Sequence, residues 1–257
     1  MLKIPYSNQT HWQFETLNTY LNLTHLVTGS NLHINRGNIL GLNYGLNVSD
    51  QEEIVQNNRS ELLVQLHFNP ATTVFPIQTH SNNVAIVTDD NKHSIFQNTD
   101  ALITNTPSIL IGVLSADCVP ILLFDPKKRV VAAIHAGWKG TVAEIVSCTI
   151  KKMMLEFNCT PDTIIAAIGP SISSENFEVG GEVSIEFKDA CKHMGPNGKM
   201  HIDICLANKL QLLEIGVKES NISLSGLCTF KNNVDFYSAR RDGFNTGRLA
   251  SVIGLTV

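Results

Sequence analysis

The 257-residue sequence lacks an excess of positive charge and any long apolar run. Lys and Arg total 19 against 23 Asp and Glu, a net charge of −4, whereas a protein that grips nucleic acid or an anionic membrane carries the opposite balance. The longest apolar run in the middle of the chain, Ile109–Leu114, falls far short of the ~20 residues a spanning helix needs. Neither nucleic acid nor membrane is expected as a partner; a small molecule or another protein is. Met1–Tyr20 lacks the basic stretch and apolar core of a secretory signal, so the cytoplasm is the expected compartment. The six cysteines form no CxxC pair, and a chain of this length needs no disulfide staples, so they are expected as reduced thiols, mostly small buried hydrophobes. Also missing are GxGxxG, GxxxxGK, HExxH, GxSxG and the HxE…PCxxC pattern of zinc deaminases, which removes the common dinucleotide, P-loop, zincin, hydrolase and deaminase readings.

What is present is an ordinary globular composition, 43% apolar and 16% charged, with no repeat, linker or composition break. One domain over residues 1–257 is expected. Residues 20–48 read as strand fragments broken by Gly29, Gly37, Gly41 and Gly45, irregular backbone suited to lining a site. Ser49-Asp50-Gln51-Glu52 has the form of a capping box, and a helix is expected over 50–67 with Ile54, Val55, Leu62, Leu63 and Leu66 buried. Strands are expected at 73–78 and 83–87, flanking the polar turn QTHSNN, then at 99–104, 109–115, 121–125, 130–135, 163–168, 222–224 and 249–255. Helices are expected after Thr141 to about Phe157, over 181–192 and over 203–215. Pro120 has no donor for a ladder, which implies a bulge, an edge or a strand start.

Cys118 and His135 stand 17 residues apart on consecutive strand-like segments, and His80 lies in a turn between two earlier ones. One thiolate and two imidazoles suit zinc and leave its fourth position open. Spacing alone leaves two other readings standing: a cysteine nucleophile with a histidine base, and buried core residues. His135 also ends a strand before AGWKGT, where glycines leave backbone amides open to an anion. Three of the six arginines, Arg240, Arg241 and Arg248, fall within nine residues. They can hold a phosphate, or form a solvated turn paired with Asp235 and Asp242. Arg59 and Lys139 are weaker candidates for the same task.

Gln78-Thr79-His80, Thr99-Asp100-Ala101-Leu102-Ile103-Thr104, Ala116-Asp117-Cys118-Val119-Pro120, His135-Ala136-Gly137-Trp138-Lys139-Gly140, Gly169-Pro170-Ser171-Ile172 and Phe236-Tyr237-Ser238-Ala239-Arg240-Arg241-Asp242 occur in this order. Together they resemble the laccase-domain family, whose members are also called polyphenol oxidase, peptidoglycan editing factor or purine nucleoside phosphorylase proteins. The resemblance covers about residues 25–257, with Ser81 where many members have Gly and Lys139 where many have Arg. The extreme N-terminus matches nothing in it.

The resemblance implies an α/β (α+β) fold, one mixed β-sheet flanked by helices, and a zinc ion held by His80, Cys118 and His135. It implies phosphorolysis of adenosine, inosine and methylthioadenosine, and deamination of adenosine, with a purine nucleoside and phosphate as partners. Asp100 and Asp117 are the carboxylates available for proton transfer, though in a regular strand Asp117 points away from Cys118. Lys139 is the third catalytic candidate. Arg59, Arg240, Arg241 and Arg248 compete for the phosphate. A copper oxidase is disfavoured, since no HxH or His-Cys-His array is present. Two alternatives differ in class: a hydrolase or amidase that edits peptidoglycan precursors, and an interaction module with a structural zinc, which needs a fourth protein ligand. Nothing in the sequence points to an oligomeric state.

Overall fold

Every residue of Val119–Asp125 and Val130–Ala136 is buried, which a strand achieves only when both of its faces are covered. The computed structural model, which describes residues 1–6 and 8–257, shows what covers them. In chain order the first strands are β1 (Leu2–Tyr6), β2 (Gln9–Gln13), β3 (Leu23–Thr28), β4 (Thr73–Val74) and β5 (Val84–Ile86). Then come β6 (Ala101–Thr104), β7 (Leu110–Ser115), β8 (Val119–Asp125), β9 (Val130–Ala136) and β10 (Ile165–Ile168). The last are β11 (Glu178–Val179), β12 (Lys192–Met194), β13 (Met200–Ile202), β14 (Ile222–Leu224) and β15 (Leu249–Leu255). The helices are α1 (Glu15–Asn18), α2 (Glu52–Gln65), α3 (Trp138–Val142), α4 (Ile145–Phe157), α5 (Gly181–Ser184), α6 (Ile204–Glu214) and α7 (Ala239–Asp242).

The fold is mixed α/β, but its core is two six-stranded sheets in place of the one expected. One has the order β1-β2-β3-β15-β7-β4 and the other β14-β10-β8-β9-β6-β5, with β11-β13-β12 as a small third sheet. Ladders are antiparallel except at β4–β7, β5–β6 and β10–β14. The two large sheets pack face to face: Val27, Ile111, Val113 and Ile253 from one meet Leu102, Leu122, Phe124 and Val131 from the other. Alternate residues of β8 and β9, among them Val119, Ile121, Leu123 and Ile134, turn outward onto Ile145, Ile150 and Met153 of α4 and Leu212 of α6. The outer face of the first sheet, at Leu110, Ala250 and Val252, is covered by Leu62 and Leu63 of α2 with Leu42 and Tyr44 of the loop before it. The layers therefore run helix, sheet, sheet, helix. Among the described residues, no helix is long and apolar enough to cross a membrane.

Several local expectations change. The N-terminal residues, unassigned from sequence, form a hairpin that extends the first sheet. The helix expected over 50–67 is α2, but the capping box is absent: Gln51 is its N-cap without a side-chain bond. Asp50 instead accepts from the amides of Asn38 and Gln51, so it ties two loops together. The helix after Thr141 is broken by Glu144 in the left-handed region, φ 59°, into α3 and α4. The strand at 73–78 shortens to β4, and the Gln78 side chain, not its backbone, pairs with both polar groups of Leu114. The helix expected over 181–192 is only α5, after which the chain passes through a short turn of helix into β12. Phe187 and Cys191 sit four apart because they both fill the small cluster around Ile202. Pro120 is the second residue of β8: it faces His135 in the ladder and its carbonyl accepts from Gly169.

The first sheet buries two neutral histidines. His25 Nε2 accepts from the Phe14 amide at 2.8 Å, and burial brings its pKa down to about 4. Burial brings His11 to about 4 as well, against a partial offset from Gln65. Both values lie below the ~6.5 of an unfolded histidine, so the unfolded chain binds more protons and stability falls with falling pH between these limits. For the metal-free protein, Tm is expected to decline as pH drops from about 6.5 to about 4, with a shallower slope in His25→Gln. Equal slopes in both proteins, measured by calorimetry, would contradict this assignment.

Candidate metal centre and cavity

Asp100 immediately precedes β6 and is fully buried. Its Oδ1 accepts from the His80 amide at 3.0 Å and from His135 Nδ1–H at 2.8 Å. Its Oδ2 accepts from the amides of Thr79 (3.1 Å) and Ser81 (2.7 Å) and from the Ser81 hydroxyl (2.7 Å). Three consecutive amides can converge on one carboxylate because His80 adopts the left-handed conformation, φ 62°, which curls the turn into an anion-binding nest. Burial alone would raise the Asp100 pKa; the hydrogen bond and charge of His135 and the bonds from Ser81 outweigh it and hold the group at about 2. Asp100 is therefore a permanent anion. It aims the QTH turn and presents His135 with Nδ1 protonated, which leaves Nε2 to face the cavity.

The ligand atoms of His80, Cys118 and His135 all lie within 4.8 Å of one another. Cys118 Sγ is 3.7 Å from His80 Nε2, and the two imidazole rings stand 4.9 Å apart at 71°. His135 comes from the end of β9 and Cys118 from the residue before β8, two adjacent strands, while the nest around Asp100 brings His80 across. Burial would raise the Cys118 thiol, but the charge and hydrogen bonds of His135 and His80 bring it down to about 6. Burial would lower His135, but Cys118 and Asp100 lift it to about 9. The ligand group thus favours a thiolate beside an imidazolium, an arrangement in which a divalent cation can take the place of the proton. A thiolate and two imidazoles fit a borderline-soft metal. Among the described residues, no fourth His, Cys, Asp or Glu joins the group, so the donor set leaves an open position and does not match a closed structural site.

These residues line a cavity of about 930 Å³. Asp117, Lys139, Arg59, Arg240 and Arg248 also line it; Asp100 stands behind its wall and Arg241 lies off it. Arg241 is a correction to the phosphate candidates. Its guanidinium donates to the carbonyls of Thr229, Phe230 and Phe236 and to the Asp242 carboxylate, which occupies its N–H groups inside the fold. Asp117, at φ 90°, turns away from Cys118 toward the C-terminal segment, where it accepts from Thr229 Oγ1, Ser238 Oγ and the Arg240 amide. With both oxygens engaged it anchors α7, and so acts through Arg240. Arg59 donates to the Tyr44 carbonyl, and burial lowers its pKa to about 10; no carboxylate lies within 4 Å of it among the described residues. The amides after His135 offer less than expected, since α3 is a five-residue helix and Thr141 N already donates to Gly137 O.

Sequence reasoning missed the aromatic lining. Phe75, Phe177 and Phe244 join Trp138 in the cavity wall, and nothing in their spacing marks them. From sequence Gly137 was legible only as a glycine that leaves backbone amides open to an anion. Its actual constraint is space: a Cβ there would overlap His80 Cδ2 and lie 3.2 Å from Cys118 Sγ. Gly137→Ala is therefore expected to displace His80 and weaken divalent-metal binding by tenfold or more, about the loss seen when a ligand's orienting partner is removed. Cobalt(II) titration, followed by its ligand-field bands, checks this; unchanged affinity and spectrum would contradict it.

Comparison with known proteins agrees with this geometry. A family model described as "Multi-copper polyphenol oxidoreductase laccase" matches residues 24–256. A protein of Bacteroides thetaiotaomicron named purine nucleoside phosphorylase is 37% identical over 254 residues, covering 93% of this chain and 94% of that one. A protein named adenosine deaminase RL5, from an unknown prokaryotic organism, is 39% identical over 81% of this chain and 84% of its own. The crystal structure of YlmD from Geobacillus stearothermophilus superposes with a TM-score of 0.91 at 27% identity and covers 99% of each chain. The chain belongs to the laccase-like family of multi-copper polyphenol oxidoreductase description, among relatives named purine nucleoside phosphorylase and adenosine deaminase.

Proposed function

We propose that this chain is a zinc-dependent purine nucleoside enzyme, which cleaves adenosine, inosine and methylthioadenosine with phosphate and deaminates adenosine, and that residues 1–257 form the one domain that carries the activity. The observation that carries this reading is the placement of a three-ligand group with an open position in the wall of a cavity that also presents cations and aromatic rings. The names of relatives aligned over nearly the whole chain support it. A zinc ion held by His80, Cys118 and His135 would supply Lewis acidity.

The protein's own groups supply the rest. Asp100 keeps the Nδ1 proton on His135 and stays ionised, so the ligand orientation does not depend on substrate. In phosphorolysis a phosphate oxygen bonds to the ribose anomeric carbon, and the electrons of the N-glycosidic bond leave with the base. That step needs phosphate held as an anion beneath the sugar. Arg59, Arg240 and Lys139 line the cavity for this role, with Arg248 beside them still offering the N–H groups that its bonds to the carbonyls of Phe244, Thr246 and Gly247 leave over, and none has a carboxylate within 4 Å among the described residues to neutralise it. Asp117 fixes the backbone from which Arg240 projects.

Purified protein carrying one equivalent of zinc is expected to convert adenosine and phosphate into adenine and ribose-1-phosphate, and adenosine alone into inosine and ammonia. Cys118→Ala is expected to lose both activities by a factor of 100 or more, roughly the loss that follows removal of a catalytic group. The absence of either set of products from the zinc-loaded wild type, by chromatography of the reaction mixture, would overturn the corresponding activity.

A further inference from the structure

The cavity aromatics differ in one respect that bears on how a flat base is held. Arg59 Cζ lies 4.7 Å from the centre of the Phe75 ring, Lys139 Nζ 5.6 Å from that of Trp138, and Arg240 Cζ 5.5 Å from that of Phe177. Each of these rings already has a cation over a face. Phe244 has no such neighbour among the described residues and is 86% exposed, yet it lines the same cavity as His80, Cys118 and His135. Other apolar side chains are nearly as exposed, among them Leu155 and Ile185, but Phe244 is the one that lines this cavity, where its ring offers a flat apolar face to a ligand.

The backbone beneath that ring is held firmly. Gly243, at φ 86°, turns the chain out of α7. The carbonyls of Phe244, Thr246 and Gly247 then accept from the Arg248 guanidinium. Arg248 also organises the facing rim: its amide donates to Asn43 Oδ1, its carbonyl accepts from Tyr44, and Gly45 approaches so closely that a Cβ would lie 2.6 Å from Arg248 Cγ. That rim carries Leu46, another exposed apolar residue of the cavity lining. Two apolar groups, Leu46 and Phe244, thus stand at the mouth on backbone fixed by one arginine.

Resting on the reading that the cavity takes a purine nucleoside, we infer that Phe244 is the outer wall of a base-stacking subsite, its free face covering the purine ring while the sugar points inward toward the cations and the metal ligands. The inner aromatics differ in already carrying a cation against one face. Phe244 therefore determines affinity for the base and leaves phosphate untouched.

The test measures adenosine KM, phosphate KM and calorimetric adenosine binding for wild type, Phe244→Ala and Phe244→Trp, with light scattering to record oligomeric state. Truncation of a stacking aromatic is expected to raise adenosine KM and Kd about tenfold, with Phe244→Trp restoring or tightening both and phosphate KM constant in all three proteins. Adenosine KM and Kd within twofold of wild type in Phe244→Ala, or a parallel rise in phosphate KM, would overturn the inference. So would a change in oligomeric state, which would place Phe244 in an interface between copies. A wild type that binds adenosine without turning it over, and loses that binding in Phe244→Ala, would remove the proposed activity and support the subsite. A wild type that does not bind adenosine removes the subsite as well.

Discussion

The centre depends on one buried carboxylate. Asp100 receives five hydrogen bonds, from the amides of Thr79, His80 and Ser81, the Ser81 hydroxyl and the His135 ring. A buried carboxylate without partners would be too costly to keep ionised, so these donors and the anion require one another. The consequence is geometric. Residues 79–81 and 135, remote in sequence, are referred to the same two oxygen atoms, and the two histidines are brought within ligand distance of Cys118 before any metal arrives. Gly137 completes the arrangement by leaving room for the His80 ring.

The layered fold explains why this happens where it does. Face-to-face packing of the two large sheets, with helices outside both, buries β8 and β9 completely and makes their ends the positions from which side chains can be presented with little freedom. Cys118 and His135 flank one end of that strand pair. The irregular chain at 29–51 and the C-terminal segment at 226–248 then wall off the space above them. Asn43 and Asn58 stitch the first of these segments to α2 and to Arg248, and Asp117 stitches the second to the start of β8. Charge in the cavity follows from the same construction. Arg59 and Arg240 are stacked on aromatic rings and bonded to carbonyls, with no carboxylate within 4 Å among the described residues, which preserves their charge for a ligand.

Much of this was legible beforehand, for identifiable reasons. Strands such as β15 and β14 coincide with their expected spans because turn residues bracket apolar runs, and Cys118 and His135 stood out as soft ligands at punctuated strand ends. His80 was marked only by its place in a polar turn between two strands, which left it one candidate among several readings until the family pattern named it. Two features were invisible. A strand buried on both faces reads as a continuous apolar run whether a helix or a second sheet covers it, so the pairing of two sheets carried no signature. The saturation of Arg241 and Asp117 is likewise a property of neighbours more than one hundred positions away in the case of Asp117 with Thr229 and Ser238, and no local pattern encodes it. The helix expected at 181–192 stops after Ser184 because Phe187 and Cys191 instead fill the small cluster around Ile202.

The claim that Asp100 pre-assembles the metal centre is tested most directly by the zinc dissociation constant of Asp100→Asn beside that of wild type, with circular dichroism to confirm a folded chain. Asparagine keeps the shape, loses the charge and puts an N–H donor where the nest and the His135 Nδ1–H require an acceptor. The account predicts affinity weakened about 10- to 100-fold in a folded protein. Unchanged zinc affinity in folded Asp100→Asn would contradict it.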